Sequence, residues 1–282
     1  MDTHVLFSTE SRICIPTSRT GQTLNNYTDV LNTRNVSDYR SEVALGRRTN
    51  NVTWNKFGSN RDLDVGTEVL ANFGGTFVPL TTASTFRFVS SSANDTNGGT
   101  GANNLILYGL NSSRESVTEV ITLNGTTNVD TTTTWLGVNR LSIYISGSNL
   151  SNVGTITCTA ITDGAVQARI DPNEGTTQQL IYFTPANSIS LLSWMLLAAN
   201  KITGGGGSPN VTYKLWVYSA VSNSKYIVFE YIMDTNVENH IELNPVEPFV
   251  VSQKSVTWME VTTDTNNTIC SGRFSLIEHS TL

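Results

Sequence analysis

Few residues in this 282-residue chain have types and spacings suited to acid, base or metal chemistry. The three histidines, His4, His240 and His279, have no His, Cys or carboxylate neighbour at the spacing of metal ligands. The abundant Ser and Thr residues lack a G-x-S-x-G motif and a general base nearby in the sequence. We therefore expect no catalytic residue and no cofactor, and we predict that the protein is not an enzyme.

The densest group of carboxylates is formed by Asp62, Asp64 and Glu68, which lie beside a glycine. Closely spaced oxygen ligands of this kind are weak candidates for a calcium site, although their spacing differs from that of an EF-hand loop. The alternative is a solvated turn in which the Asp side chains bind nearby backbone amides. We favour the turn.

Charge divides the chain into two parts. Residues 1–61 carry a net charge of +3 and residues 62–282 a net charge of -9, which together give the chain its net charge of -6. The acidic total argues against nucleic-acid binding, which requires a basic surface.

Residues 1–56 lack sustained hydrophobic periodicity, which predicts an extended arm that becomes ordered against a partner. The alternative is an irregular lead-in packed on its own domain.

Within this arm we name candidate partner-binding residues, which are Arg12, Arg19, Arg34, Arg40, Arg47, Arg48 and Trp54. Trp54 and Trp135 lie beside polar stretches and could anchor a partner or stack on a sugar, but core packing is the favoured interpretation. The other three tryptophans lie in apolar segments and are predicted to pack in the core; they are Trp194, Trp216 and Trp258.

The composition identifies the elements that must position these residues. The chain contains 40 Thr, 29 Ser and 29 Asn, which are poor helix formers and suit strands and tight turns. From about residue 70, short apolar runs alternate with turn sequences, which predicts many antiparallel strands. The Gly run at 98–101 is interpreted as a flexible loop tip.

The fold class predicted is all-β, an antiparallel β-sandwich of the jelly-roll or Ig-like kind, with an extended N-terminal arm over 1–56. Residues 57–165 form a sandwich domain, and residues 166–282 form a second domain or the second half of the same sandwich. The ambiguous apolar run SISLLSWMLLAAN (188–200) is predicted to be a central strand. In 155–161 and 256–262, Thr alternates with apolar residues, which predicts strands with one face toward water.

The lack of a recognisable secretory signal predicts synthesis in a cytoplasm. The first residues carry acidic side chains and no apolar stretch typical of a secretory signal, and the most apolar run is too short to span a bilayer. We therefore expect no membrane association.

Several fragments resemble, in order, a family of virion structural proteins from tailed phages, notably marine cyanophages. The fragments of the first half are FGSNRDLDVGTE (57–68), GGTF (74–77), ANDT (93–96), GTGA (99–102), LILYGL (105–110), VITLNGTT (120–127), VNRL (138–141) and GTIT (154–157). In the second half TP (184–185) and SW (193–194) continue the resemblance, which spans about residues 57–280. Residues 1–56 lie outside it, and Ala71 and Asn72 stand where the family pattern has an aromatic residue.

The resemblance implies a β-rich virion component, a capsid decoration or minor capsid protein such as a knob or appendage, without catalytic residues. It implies capsid or other virion proteins as partners, a homo-oligomer, and location in the virion after synthesis in the host cytoplasm. The alternative is a carbohydrate- or receptor-binding adhesin module that recognises a host glycan. A polysaccharide depolymerase is a further alternative, for which no carboxylate pair is selected by the sequence.

Overall fold

The computed structural model describes residues 5–6, 15–16, 39–201 and 208–281. In chain order its elements are β1 (Val5–Leu6), β2 (Ile15–Pro16), α1 (Tyr39–Ala44), β3 (Asn51–Leu63), β4 (Gly66–Val69), β5 (Phe86–Ser90), β6 (Ala102–Asn111), β7 (Ser116–Thr122), β8 (Val129–Asp130), β9 (Trp135–Ser146), β10 (Ile156–Ala160), β11 (Val166–Ile170), β12 (Ile181–Phe183), β13 (Ser188–Lys201), β14 (Asn210–Ser219), β15 (Ser224–Asp234), β16 (His240–Leu243), β17 (Phe249–Val251), β18 (Ser255–Thr263) and β19 (Thr268–Ser280).

The chain divides into two compact units, residues 1–42 and residues 43–282. In the first unit, β1 pairs with β2 in an antiparallel ladder. The second unit contains the four larger sheets, and β3 begins at Asn51, inside the segment that we predicted to be an arm. The predicted division at residues 56 and 165 stays a prediction.

All four larger sheets are antiparallel. Sheet 1 has the order β16-β13-β19-β3, with β17 also on β13, and sheet 2 has the order β12-β18-β14-β15, with β4 also on β18. Sheet 3 is β7-β6-β9 and sheet 4 is β11-β10-β5-β8. The order of sheet 1 confirms that the run 188–200 belongs to a central strand.

The prediction of an all-β fold is confirmed, but the prediction of a jelly-roll or Ig-like sandwich is wrong. The four sheets are arranged as a four-bladed β-propeller. One buried cluster contains residues of sheets 1 and 2, such as Leu197 and Met259, and another contains residues of sheets 3 and 4, such as Leu107 and Ile156. A third cluster, which includes Leu110 and Trp258, links sheets 2 and 3. Alternation along a strand indicates a buried face but not how many sheets share the core, which is why the sequence suggested a sandwich.

β18 shows the consequence of this arrangement for a single strand. Met259 and Val261 lie in the cluster shared with sheet 1, whereas Val256 and Trp258 lie in the cluster shared with sheet 3. Both faces are therefore covered, and even Thr257 is buried. The prediction that the Thr face of 256–262 meets water is wrong for this part of the strand, while the prediction that Trp258 packs in the core is confirmed.

The other tryptophans divide between core and surface. Trp135 is fully buried and stacks on Phe86, which confirms the favoured core interpretation. Trp216 is half-buried and packs against the third cluster. Trp194 is not in the core; its indole Nε1 donates to Glu242 on the outer side of sheet 1, and Arg273 lies over its ring.

A buried carboxylate organises the connections between sheets 3 and 4. Asp95 is fully buried; its Oδ1 accepts hydrogen bonds from the backbone amides of Ala102 and Val153 at 2.9 and 2.8 Å. Its Oδ2 accepts from Ser90 Oγ at 2.6 Å and from the Gly154 amide at 2.8 Å. In the loop around 98–101, Gly101 is closely packed, since a Cβ there would lie 2.1 Å from Asp95 Oδ1, whereas Gly98 is exposed. The flexibility predicted for this loop tip stays a prediction.

We expect Asp95→Asn to lower the free energy of unfolding by about 3 kcal/mol, because the amide group replaces an acceptor oxygen by a donor among four hydrogen-bond donors. Urea denaturation followed by tryptophan fluorescence measures the change. Asp163→Asn is the matched control: Asp163 is exposed and accepts from one backbone amide, that of Ala165. An unchanged denaturation midpoint for Asp95→Asn would contradict the assignment.

Candidate functional site

The predicted arm residues are only partly within the described structure. Arg12, Arg19 and Arg34 lie outside the described residues. Arg40 lies in α1, and Arg47 and Arg48 follow that helix on the exposed stretch before β3. Their role in partner binding stays a prediction.

The structure does not gather the calcium candidates into a metal-binding group. Glu68 Oε2 accepts from Asn60 Nδ2 at 2.7 Å and from the Gly75 amide at 3.1 Å, so it holds the turn that follows β4. Asp64 Oδ1 accepts from the Asn267 amide at 3.4 Å, and Asp62 is exposed. Across the described part of the chain no group of His, Cys, Asp and Glu residues is arranged to hold a metal ion. These contacts are those of carboxylates that bind backbone amides in turns.

Trp54, the remaining partner-binding candidate, lies where sheets 1, 2 and 3 meet. Its ring centroid is 5.7 Å from that of Tyr182 in β12 and 6.4 Å from that of Tyr108 in β6, in an edge-on arrangement with the latter. The guanidinium carbon of Arg140 in β9 lies 5.4 Å from the Trp54 ring centroid. Trp54 is half-buried, and its Nε1 is a buried donor with no partner among the described residues.

Lys56 follows Trp54 on the same face of β3, because side chains two residues apart in a strand point to the same side. Its side chain is buried, with 5% of the residue exposed, and its Nζ donates a hydrogen bond to the backbone carbonyl of Asn139. Burial and, as the smaller cause, the positive charge of Arg140 together lower the pKa of Lys56 from 10.5 to about 7. Gly58, next on this face, leaves room for Leu180, whose backbone nitrogen would lie 2.7 Å from a Cβ there.

Asn139 positions these groups from β9. Its Oδ1 accepts from the backbone amide of Phe183 at 2.7 Å, and its Nδ2 donates to the Phe183 carbonyl at 3.0 Å. The side chain thus pairs with the backbone of β12 as a neighbouring strand would. Because the Asn139 carbonyl also accepts from Lys56, this one residue connects sheets 1, 2 and 3.

Two cavities adjoin this junction. The first, of about 290 Å³, is lined by Lys56 and Arg140 together with Asn55, Phe57, Ser142, Thr176 and Thr177. The second, of about 310 Å³, is lined by Trp54, Tyr108 and Asn139, together with residues of β7 and Gly109. The first cavity combines two cationic side chains with three hydroxyl groups, and no carboxylate is among its lining residues. This arrangement can bind negatively charged groups.

Sequence reasoning identified Trp54 but missed Lys56, Tyr108, Asn139 and Arg140. Lys56 entered the sequence analysis only through the net charge of residues 1–61. The signal that could have found it was the alternation of Trp54, Lys56 and Gly58, which is typical of one face of a strand. Arg140 and Asn139 gave no such signal, because their partners are distant in the sequence.

Comparisons with known proteins establish no family for the chain. No protein-family model and no curated protein matches it. Among solved structures it is similar to the VP2 subviral particle of infectious bursal disease virus, with 9% identity, a TM-score of 0.22, and coverage of 82% of this chain and 72% of that chain. The Gt strain of the same virus gives 9% identity, a TM-score of 0.18, and coverage of 86% and 78%.

A third structure, the T13 particle of infectious bursal disease virus, gives 9% identity, a TM-score of 0.20, and coverage of 86% of this chain and 74% of that chain. At these scores the likeness establishes neither a shared fold nor a shared function.

Among the described residues, no helix is long and apolar enough to cross a membrane.

We expect the stability of the wild-type protein, measured relative to Lys56→Met, to rise with pH above 7. The folded pKa of about 7 lies below the ordinary value of 10.5, so the unfolded chain binds more protons between these two values. The slope approaches about 1.4 kcal/mol per pH unit in this range. Below pH 7 the methionine variant should be the more stable protein, because it buries no charge.

Urea denaturation in phosphate-free buffers at several pH values measures this difference. Lys214→Met is the control, since Lys214 is half-exposed and lies 3.7 Å from Glu230. A pH-independent difference between the wild type and Lys56→Met would show that Lys56 is not desolvated.

Proposed function

We propose that the protein is a virion structural protein, a capsid decoration or minor capsid protein that binds the particle surface through its N-terminal segment. The observation that carries the proposal is the ordered resemblance over residues 57–280 to virion proteins of tailed phages. The proposed role is structural rather than enzymatic.

Contacts in the fold join several of the fragments that carry the resemblance. Three of its fragments, ANDT (93–96), GTGA (99–102) and GTIT (154–157), are distant in sequence, yet Asp95 of the first binds Ala102 of the second and Gly154 of the third. A fourth fragment, VNRL (138–141), contains Asn139, whose side chain joins β9 to β12.

The charge distribution supports docking of the protein through its N-terminal segment. The net charge of +3 in residues 1–61 precedes an acidic remainder of -9, and a basic segment is attracted to a negatively charged particle surface. In this proposal capsid or other virion proteins are contacted by Arg12, Arg19, Arg34, Arg40, Arg47, Arg48 and Trp54.

The open edge of sheet 2 supports assembly with other copies or with the particle. β15 pairs with β14 and has no second neighbour among the described strands. Tyr226, Ile227 and Ile232 on this strand are 41%, 39% and 64% exposed. A long edge strand with exposed apolar residues requires a cover, which a homo-oligomer or a host lattice would provide.

The alternative is a glycan-binding module, but neither Trp54 nor Trp135 presents an open ring face on which a sugar could stack. Trp135 is fully buried, and Arg140 lies over the ring of Trp54. A glycan array with the wild type and Trp54→Ala tests this alternative, and turnover of host polysaccharides tests an enzymatic one.

We expect the full-length protein to be found on purified particles at a fixed copy number and to bind particles that lack it. Replacing Arg12, Arg19, Arg34, Arg40, Arg47 and Arg48 by Gln should reduce this binding by at least about tenfold, because the attraction to the particle is electrostatic. Co-sedimentation with particles measures binding, and circular dichroism confirms that the variant is folded.

The matched control removes the same number of positive charges from the acidic part of the chain, at Arg87, Arg114, Arg169, Lys214, Lys225 and Lys254. Equal loss of binding in both variants would overturn the docking role of the first segment. Absence of the protein from purified particles would overturn the virion role itself.

A further inference from the structure

The cavity beside Lys56 and Arg140 carries positive charge that the described residues do not neutralise. Within the described ranges, neither side chain lies within ion-pair distance of a carboxylate. Ion pairs do form elsewhere in these ranges, for example between Arg61 and Glu174 at 2.5 Å. Lys56 has only the backbone carbonyl of Asn139, and Arg140 Nη2 donates to the backbone carbonyl of Asn55 at 3.1 Å. Buried cations are ordinarily paired with an anion, so this cavity lacks the expected counter-charge.

Glu174 is the acidic residue closest in sequence to the lining residues Thr176 and Thr177, but its carboxylate already has other partners. It binds Arg61 at 2.5 Å and accepts a hydrogen bond from Gln178. The lining residues themselves include no carboxylate. Any negative group that pairs with these two cations would therefore come from outside the described residues.

Hydroxyl groups complete the wall of the cavity. Thr177 Oγ1 accepts from the Leu141 amide at 3.3 Å, which leaves its own proton for another acceptor. The Ser142 hydroxyl lines the same cavity and has no hydrogen bond to the described residues. Thr176 Oγ1 donates to the Leu141 carbonyl at 3.2 Å and so holds the two segments together. The available donors thus lie beside the two cations.

The guanidinium of Arg140 is held in place on the ring of Trp54, at 5.4 Å from the ring centroid. A positioned guanidinium presents a planar set of donors that matches the oxygens of a carboxylate or a phosphate. A volume of about 290 Å³ accommodates such a group with a small carbon skeleton.

We propose that the cavity lined by Lys56, Arg140, Ser142 and Thr177 is a binding site for a small oxyanion, a carboxylate or phosphate group. Lys56 supplies a buried positive charge, Arg140 supplies a planar pair of donors, and the two hydroxyls complete the coordination of the oxygens. The site does not depend on the virion role, since Lys56 in β3 and Arg140 in β9 are not among the residues proposed to contact the particle.

The test is isothermal titration calorimetry on the full-length protein at about pH 6, where Lys56 is protonated. The titrants are inorganic phosphate, acetate and glucuronate, with glucose as the uncharged counterpart of glucuronate and ionic strength held constant with NaCl. We expect saturable binding of at least one anion and none of glucose. Preference for glucuronate identifies an acidic sugar as the source of the group, whereas preference for phosphate identifies a free or esterified phosphate.

Lys56→Met and Arg140→Gln should each weaken this binding by at least about tenfold, while Lys214→Met should leave it unchanged. If Lys56→Met does not fold, Arg140→Gln still tests the site, because its side chain lies at the cavity wall and Trp54 remains. No saturable binding of any anion, or equal binding by the wild type and both variants, would overturn the proposal. Binding of glucose as strong as that of glucuronate would also overturn it.

Discussion

The hydrogen bonds of Asn139 are the constraint on which the junction of the sheets depends. A side-chain amide that binds both the amide and the carbonyl of Phe183 satisfies a backbone that would otherwise be buried without partners. β12 has only three residues and pairs with β18 on one side. The two hydrogen bonds from Asn139 therefore stabilise a large part of its other edge. The ring of Phe183 is seated on Gly137, where a Cβ would lie 2.1 Å away. The position of β12 then determines where Tyr182 meets Trp54 and where the backbone of Asn139 faces Lys56.

A buried lysine opposes the stability that this junction provides. The Lys56 hydrogen bond to Asn139 offers a dipole rather than a full counter-charge, and Arg140 adds repulsion. A sheet junction needs no cation at this place, and an uncharged side chain of similar length would pack there without the desolvation penalty. The two cations beside one cavity are the arrangement on which the proposed oxyanion site rests.

The sequence predicted the elements of this protein better than their assembly. Its Thr, Ser and Asn content predicted strands and turns, and the ambiguous apolar run in β13 was correctly predicted to be a central strand. The four-sheet arrangement was missed because β18 uses both faces, and an alternating Thr at 257 is buried under a second cluster. For the site, Trp54 was found by residue type. Lys56 and Arg140 were missed because their meeting depends on contacts between strands that are more than eighty residues apart, such as the 83 residues between Lys56 and Asn139.

The contacts of Asp95 have a consequence for the order of folding. Two of its four partners, the amides of Val153 and Gly154, lie 58 and 59 residues away, whereas Ser90 and Ala102 are local. Closing so long a loop costs chain entropy before any of the distant contacts form. Until β10 is in place, the carboxylate can keep its shell of water, and it gives up that water only when the last amides arrive. The strands between β5 and β10 should therefore become protected from hydrogen exchange together, as a single cooperative unit, and not hairpin by hairpin.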